Sequence, residues 1–163
     1  MTPPDERAAA AMWAEYLASG RGPAPGAPLP VFDSFGDGPA LADELLGLVL
    51  AGAKRATASL VAEYEVLGDT PPEAGDHWVV CDGAGTPRVI LQTTEVRRVR
   101  FRDVDAAFAY DEGEGDRSIE SWRRDHRRYW ERVGAELGLV LTGDSVVVAE
   151  RFRVVWPPEH ADV

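Results

Sequence analysis

Lysine is almost absent from this sequence of 163 residues. Of its 17 basic residues, 16 are arginines, and the only lysine is Lys54. Arginine stays charged, whereas the compact lysine amine can be made neutral by burial or by nearby charge. A chain that uses arginine almost everywhere and keeps one lysine therefore indicates a position that needs the lysine amine. We expect Lys54 to transfer a proton or to contact a phosphate or carbonyl oxygen; the alternative is a solvated surface lysine.

Cysteine and long apolar runs are also scarce, and each absence excludes a class of protein. The single cysteine, Cys81, rules out an internal disulfide and a zinc site made of cysteines, and its neighbours predict a buried strand thiol. No run reaches the roughly 18 to 20 apolar residues of a membrane-spanning helix. The first six residues lack the basic start of a signal peptide. We therefore expect a cytoplasmic protein without a membrane partner.

Acidic residues dominate the charge, but unevenly along the chain. The net charge is −11, which argues against coating of long nucleic acids by charge alone. Residues 97–132 nevertheless hold ten basic and nine acidic residues, whereas the rest of the chain holds seven basic and nineteen acidic ones. This distribution favours a localised anionic ligand. The alternative is that the arginines simply pair with nearby carboxylates on solvated faces.

The sequence predicts two helices before its β-rich middle. Residues 6–17 are typical of a helix, and the Gly- and Pro-rich residues 20–28 are typical of a linker. Residues 36–39 are predicted to open a second helix, with Asp37 as its N-cap, Pro39 near its first turn and Gly52 as its C-terminal stop. Lys54 then lies in the turn that follows. We predict an N-terminal helix and linker over residues 1–30, one domain over residues 31–158, and a tail over residues 159–163.

The second half of the sequence combines strands with one long amphipathic helix. Strands are predicted over residues 77–81, 89–96 and 145–156, and a helix over residues 118–134. One side of that helix is apolar, with Trp122 and His126 on it, and we interpret His126 as structural. The other side carries Arg123, Arg124, Arg127 and Arg128, which we call the arginine face. The simplest arrangement is an α+β fold, a small β-barrel with helices packed around it.

Two short motifs connect the chain with a known family. One is the run Gly52-Ala53-Lys54-Arg55-Ala56-Thr57, and the other is Glu112-Gly113-Glu114-Gly115-Asp116, followed by a helix start at Ser118. In this order they resemble the ASCH domain family (activating signal cointegrator homology), especially its bacterial single-domain members. The resemblance runs from about Phe32 to Trp156. It implies a β-barrel related to the PUA RNA-binding fold and an association with RNA.

The resemblance also implies a set of site residues. Some family members are described as ribonucleases, and others as amidohydrolases that remove an acyl group from acetylated cytidine. The amidohydrolases use a lysine, a threonine and a glutamate, which Lys54, Thr57 and Glu114 match, with Glu112 as the alternative glutamate. We expect residues 112–116 to face Lys54 across one cleft. A lysine near a carboxylate can shuttle a proton, and a threonine hydroxyl can act as a nucleophile. For RNA cleavage, Lys54 would instead stabilise charge on a phosphate oxygen.

Further residues are candidates for holding the substrate. Guanidinium groups match phosphate geometry, and aromatic rings can stack on bases. Glu112, Glu114 and Asp116 offer oxygen ligands suited to a divalent cation, although a solvated turn explains them equally well; no other cofactor is expected. Ser118 is the expected N-cap of its helix and could also face the ligand. The proposed substrate-binding residues are Arg55, Tyr64, Glu112, Asp116, Ser118, Trp122, Arg123 and Arg127.

Three functions remain open at this level. The first is hydrolysis of single-stranded RNA centred on Lys54. The second is an amidohydrolase that acts on an acylated, cytidine-like nucleoside. The third is a non-catalytic RNA- or nucleotide-binding module. The expected partner is accordingly single-stranded RNA or a modified nucleoside.

Overall fold

The computed structural model describes residues 2–163. Within these residues there are five helices, a short 3₁₀ turn at Phe101–Asp103 and five strands. The helices are α1 (Glu6–Ala18), α2 (Pro39–Leu50), α3 (Val61–Leu67), α4 (Ala106–Glu112) and α5 (Ile119–Leu137). The strands are β1 (Val31–Asp33), β2 (Ala56–Leu60), β3 (His77–Cys81), β4 (Pro87–Arg100) and β5 (Val146–Trp156). No helix within residues 2–163 is both long enough and apolar enough to cross a membrane.

The five strands form one mixed sheet in the order β1-β3-β4-β5-β2. Strand β1 runs parallel to β3, whereas β3 pairs antiparallel with β4 and β2 pairs antiparallel with β5. The predicted α+β class, with helices packed against strands, is confirmed. The two long strands β4 and β5 each run through both of the compact units into which the chain divides.

The first compact unit contains α1, α2, β1 and β3, within residues 2–51, 74–94 and 152–163. One side of its core is formed by apolar side chains of α2, such as Leu45 and Val49, with strand residues including Val80. The other side is formed by α1, whose buried Trp13 packs in a cluster with Val79 of β3. The thiol of Cys81 is buried, as predicted. Burial raises its pKa to about 11, which makes it a poor nucleophile.

The second compact unit comprises Gly52–Glu73 and Glu95–Arg151. Its core is built around aromatic side chains from the 3₁₀ turn, α4 and α5. The buried members of this core cluster are Ala56, Leu60, Phe101, Val104, Phe108, Ala109, Trp122, Trp130, Val147 and Ala149. Every residue predicted for the site lies in this unit, so the site can be described within it.

The N-terminal caps of α5 and α2 test the caps predicted from the sequence. Ser118 caps α5 as predicted, because its Oγ accepts a hydrogen bond from the backbone N–H of Ser121. The prediction of Asp37 as the cap of α2 is wrong. Gly38 occupies the N-cap position without a side-chain hydrogen bond, and Pro39 is the first helical residue. Proline supplies a helical φ at that position, so the helix begins without a polar cap.

Helices α3 and α4 were not predicted from the sequence. Each has only seven residues, which is too short for a clear apolar repeat. Each ends at a glycine with left-handed backbone, Gly68 after α3 and Gly113 after α4. The second of these helices changes the interpretation of the acidic loop. Glu112 is the last residue of α4, so its side chain is positioned by a helix and not by a flexible turn.

Candidate functional site

Lys54 is completely buried between two glutamates. It lies in the turn that precedes β2, and none of its surface is exposed. Its Nζ donates a hydrogen bond to Oε1 of Glu114 over 2.6 Å and another to Oε2 of Glu112 over 3.2 Å. The expectation that residues 112–116 face Lys54 is confirmed by these distances. A solvated surface lysine is ruled out.

Glu112 receives hydrogen bonds on both of its carboxylate oxygens. While Oε2 accepts from Lys54, Oε1 accepts from Nε1 of Trp122 over 2.8 Å, and Nε2 of His126 lies 3.3 Å from the same oxygen. Trp122 and His126 are one turn apart on α5, and their rings stack with centroids 4.2 Å apart. Trp122 therefore packs in the core and also donates to the site, and it is not free to stack on a ligand.

A glycine allows the two loops of the site to touch. Gly113 has a φ of +73°, and an added Cβ would collide with the backbone carbonyl of Ala53. Beside it, the backbone N–H of Arg55 donates to the carbonyl of Asp111 over 2.8 Å. The close approach holds the Lys54 turn directly against the end of α4. A side chain at position 113 would separate Lys54 from the two glutamates.

Arg117 ties the same two segments together from the other end of the loop. Its Nε donates to the carbonyl of Tyr110 over 2.9 Å, and its Nη2 donates to the carbonyl of Ala53 over 3.2 Å. Its guanidinium lies 3.7 Å from the centre of the Tyr110 ring. The residue adopts a φ of 63°, which is unusual for a residue other than glycine. No sequence motif indicated this role of Arg117.

The pKa values of the two glutamates are shifted in opposite directions. Burial alone would raise the pKa of Glu112, but the charges of Lys54 and His126 and the hydrogen bonds to Oε1 hold it well below its usual range. Burial raises the pKa of Glu114 and, together with the repulsion from Glu112, outweighs the lowering of that pKa by the Lys54 ammonium. The side chain of Glu114 is 29% exposed, against 1% for Glu112. Glu114 is therefore the more basic carboxylate and the one that solvent reaches.

Both cationic groups of the site are stabilised by these carboxylates. Burial lowers the pKa of Lys54, but the adjacent Glu112 and Glu114 more than compensate, so its pKa is raised overall. The same holds for His126, for which burial is outweighed by the charge and hydrogen bond of Glu112. Lys54 consequently remains an ammonium. Burial therefore does not make the Lys54 amine neutral, because its pKa is shifted towards stronger proton binding.

Thr57 lies on a different face of β2 from the apolar core. Ala56 and Ala58 pack in the cluster that contains Trp122, and side chains alternate along a strand, so Thr57 points to the opposite face. There it stands opposite Glu150 of the neighbouring strand. The structure therefore brings Lys54, Glu112 and Glu114 together and leaves Thr57 outside this group. Its assignment as a catalytic residue stays a prediction.

The remaining small polar candidates are engaged in local contacts. The hydroxyl of Tyr64 lies 2.9 Å from Oγ of Ser59, on the same face of β2 as Thr57. The guanidinium of Arg55 donates to the carbonyl of Lys54 over 2.7 Å. The Asp116 carboxylate accepts from both the N–H and the Oγ of Ser118, and these bonds lower its pKa to about 2. Asp116 and Ser118 thus support the start of α5.

The arginine face is exposed along α5, and one end of it adjoins the acidic loop. Arg124 donates to Oγ of Ser121 over 3.2 Å, and Gly115 lies beside that same oxygen. The guanidinium of Arg123 bonds the carbonyl of Arg102 and is held in place by it. Arg127 and Arg128 are both exposed, and the guanidinium of Arg127 lies 5.2 Å from the centre of the Phe101 ring.

Three side chains come close enough to suggest a metal site. Glu112, Glu114 and His126 each offer one ligand atom, and these atoms lie within 4.8 Å of one another. The Lys54 ammonium, however, already donates to both carboxylates, and Glu112 Oε1 also accepts from an indole. A divalent ion would add two positive charges directly beside the ammonium. The group therefore fits an ion-pair network better than a metal site, and Asp116 is not part of it.

The interpretation of His126 as purely structural missed its contact with Glu112. Trp122 and His126 are four residues apart, which places both rings on one face of a helix. That spacing predicted only that the two rings are neighbours. It could not show that α4 ends against them, because α4 itself was not predicted. Nε1 of Trp122 and Nε2 of His126 both face the carboxylate of Glu112, which lies at the end of α4.

The fold and the site together define an α+β domain with a buried lysine–carboxylate network. The model of the ASCH domain family matches residues 31–156, and this chain belongs to that family. ASCH domains are PUA-like and are linked to RNA binding. The resemblance suggested by the two sequence motifs is thereby confirmed.

Two solved structures support this assignment. An ASCH domain from Lactobacillus crispatus JV V101 has a TM-score of 0.82 at 30% identity, covering 94% of this chain and 97% of its own. The protein EF3133 from Enterococcus faecalis V583 has a TM-score of 0.84 at 26% identity, covering 92% of this chain and 89% of its own. No curated protein matches the sequence.

Proposed function

We propose that this protein binds single-stranded RNA and hydrolyses it, with Glu114 as the group that accepts a proton. The observation that carries the proposal is the pairing of a partly exposed carboxylate of raised pKa with a completely buried lysine. Neighbouring ionisable groups whose pKa values are shifted by burial and by each other's charge are typical of functional sites. The link of the family to RNA supplies the class of ligand.

The proposed reaction begins at the ribose. The Glu114 carboxylate accepts the proton of a 2′-hydroxyl, and the 2′ oxygen forms a bond to the adjacent phosphorus. The bond from phosphorus to the 5′ oxygen breaks, this oxygen takes a proton from water, and the hydroxide left behind takes the proton held by Glu114. The products are a 2′,3′-cyclic phosphate and a free 5′-hydroxyl. A raised pKa suits Glu114 to this step, because a general base works best when its pKa approaches the working pH.

Lys54 acts through Glu114 in this proposal. None of its surface is exposed, so a phosphate oxygen cannot reach Nζ in this conformation. The ammonium instead fixes the position of Glu114 by a hydrogen bond of 2.6 Å and keeps it available as an anion. This refines the sequence-based hypothesis, in which Lys54 itself contacted the phosphate.

The arginine face provides the contacts to the RNA backbone in this proposal. It is exposed, it lies on the helix that carries Trp122 and His126, and Arg124 adjoins the acidic loop. A strand bound along α5 would therefore bring successive phosphates past Glu114. Arg127 and Arg128 supply two exposed positive charges to this surface.

The narrow access to the site supports a second candidate, an amidohydrolase for a small acylated nucleoside. Of the three side chains Lys54, Glu112 and Glu114, only Glu114 is substantially exposed to solvent. A small substrate needs no extended surface to reach it. In this case Glu114 would activate a water molecule that attacks the acyl carbon, and the freed amine would take up a proton.

One assay separates these functions. The protein is incubated with end-labelled single-stranded RNA and, separately, with acetylated cytidine, and the products are compared. We expect RNA cleavage that ends in a 2′,3′-cyclic phosphate, and we expect Glu114→Gln to lower its rate about 100-fold or more, the usual contribution of a general base. The matched control is Glu120→Gln, since Glu120 is exposed in the first turn of α5.

Each other outcome has a clear meaning. Equal cleavage by wild type and Glu114→Gln would remove Glu114 from the mechanism. Release of acetate without RNA cleavage would support the amidohydrolase. Binding of RNA without any product would support a non-catalytic binding module.

A further inference from the structure

The hydrogen-bonding partners of His126 determine its protonation. Nδ1 lies 3.0 Å from the backbone carbonyl oxygen of Trp122, which can only accept a hydrogen bond. Nδ1 must therefore carry a hydrogen. Nε2 lies 3.3 Å from Oε1 of Glu112, a carboxylate oxygen that also accepts from the Trp122 indole. A neutral ring with its hydrogen on Nδ1 would direct the lone pair of Nε2 at this anionic oxygen.

We propose that His126 is the positioning residue of this site, held as an imidazolium between the Trp122 carbonyl and the Glu112 carboxylate. Its charge keeps Glu112 ionised and fixed in place, so that Glu114 is the only carboxylate of the network that exchanges a proton. His126 does not touch the substrate in this arrangement. It acts through Glu112, which in turn orients the Lys54 ammonium.

The charges around His126 balance only if the ring is protonated. Glu112 faces it from the end of α4, Glu114 from the loop that follows, and Lys54 from the turn before β2. On its own helix, Asp125 and Arg127 are exposed to solvent. With an imidazolium, two cations meet two carboxylates. With a neutral ring, one ammonium would be shared by two buried carboxylates, and the Nε2 lone pair would repel one of them.

The asymmetry of the two glutamates follows from this arrangement. Glu112 has three donors, namely Lys54, Trp122 and His126, and all three favour its anion. Glu114 has the Lys54 hydrogen bond and is repelled by Glu112. Removing the charge at His126 would allow Glu112 to compete for the proton that now goes to Glu114. The inference that Glu114 acts as a base rests on the proposed function, whereas the protonation of His126 does not.

The protonation is measured directly by NMR of the 15N-labelled wild-type protein. Long-range 1H–15N correlations distinguish a ring with two protonated nitrogens from a neutral ring. At about pH 8 an ordinary imidazole, with a pKa near 6.5, is neutral. We expect His126 to show two protonated nitrogens there, with free histidine in the same buffer as the reference. Nuclear Overhauser contacts to the Trp122 indole identify the His126 ring without a mutant.

Two results would overturn the proposal. One is a neutral His126 ring at about pH 8, where the imidazolium is expected. The other is a shift of the His126 nitrogens on addition of zinc or magnesium that EDTA reverses, because it would show a metal ligand in place of a donor. Neither result depends on RNA cleavage, so a failure of the proposed function and a failure of this inference are distinguishable.

Two variants separate the charge of His126 from its packing. His126→Gln keeps a donor for Glu112 but loses the charge, whereas His126→Arg keeps a charge that can stack on Trp122. In wild type and His126→Arg, the 13C signal of the Glu112 carboxyl should remain that of the anion throughout the folded pH range. In His126→Gln it should titrate. Titration in neither variant would show that His126 serves only to pack.

The stability of the fold provides a third readout. The pKa of His126 is raised above 6.5 in the folded state, so its contribution to stability is complete below pH 6.5 and is lost as the pH rises through the folded pKa. The difference in unfolding free energy between wild type and His126→Gln should therefore be greatest below pH 6.5 and shrink in alkaline solution. A difference independent of pH would contradict the proposed charge.

Discussion

Individual residues of this site carry charges that are deeply buried and mutually compensated. Removing one partner of a buried ion pair leaves the other charge uncompensated, which costs far more than the loss of an exposed pair. Lys54 is central here, because it bonds both Glu112 and Glu114 and has no exposed surface. The site is therefore a structural element as well as a candidate catalytic one.

Lys54→Met should destabilise the protein by about 3 to 5 kcal/mol at neutral pH, the usual cost of breaking a buried pair. The loss should shrink as the pH falls, because Glu114 and then Glu112 become protonated and no longer need a cation. Glu114→Gln added to Lys54→Met should recover part of the stability. Urea unfolding of the four proteins of this cycle measures both effects. The control is Arg102→Met, which removes an exposed pair with Asp144 and should change little.

Lys54→Arg tests whether positive charge alone is sufficient. The guanidinium is larger and planar, and the completely buried site of the ammonium has no exposed surface into which it can extend. We expect this variant to lose RNA cleavage almost as fully as Lys54→Ala does, measured as kcat/KM. A fully active Lys54→Arg would show that positive charge alone is enough to hold Glu114 in place.

At the level of elements, two short helices end in the same way but in different surroundings. Helices α3 and α4 both have seven residues and end at a glycine with a φ of 73°. The N–H of Gly68 donates to the carbonyl of Tyr64, four residues earlier, and the N–H of Gly113 donates to the carbonyl of Tyr110, three residues earlier. Only Gly113 has a neighbour that a side chain would strike, the carbonyl of Ala53.

Gly113→Ala should therefore be much more harmful than Gly68→Ala. Both variants force alanine into left-handed backbone, at a cost of roughly 1 kcal/mol. Gly113→Ala must also push Ala53 away, and overpacking adds about 1 to 3 kcal/mol. It should lower the melting temperature further and lower any activity, because Lys54 moves away from the glutamates. Equal melting temperatures for the two variants would show that the loops adapt without cost.

At the scale of the whole molecule, the charge is divided between a strongly acidic chain and a locally basic stretch. The net charge of −11 discourages binding to polyanions in general, so an RNA ligand must be held where arginines accumulate. The second compact unit contains both that stretch and the lysine–carboxylate network. The size of the ligand can therefore be determined from the response of binding to salt.

Binding of single-stranded RNA should weaken with salt at a slope of about −0.7 per phosphate contacted. We expect a log–log slope steeper than about −1.5, which corresponds to at least two phosphates. Arg127→Ala combined with Arg128→Ala should flatten the slope, measured by fluorescence anisotropy. Arg7→Ala combined with Arg21→Ala changes the charge equally, at exposed residues outside the arginine face, and should leave the slope unchanged. A flat response in the wild type would favour the small nucleoside substrate.

The sequence by itself determined the features that depend on local chemistry. The scarcity of lysine indicated a role for Lys54. The Ser118 cap and the apolar repeat predicted helix α5, and two motifs indicated the ASCH family. These signals are local because a cap, a turn or a helix face depends on residues a few positions apart. The acidic residues 112–116 were also correctly expected to face Lys54.

Tertiary structure alone decided how these residues divide their roles. Lys54 and Glu112 are 58 positions apart in the sequence. Their contact depends on α4, a helix too short to show a clear apolar repeat. Which glutamate stays ionised depends on the two donors of α5 that face Glu112, namely Trp122 and His126. The position of His126 on the apolar side of the helix gave no indication of this contact. The proton affinity of a carboxyl group is set by burial and by the charges that folding places beside it.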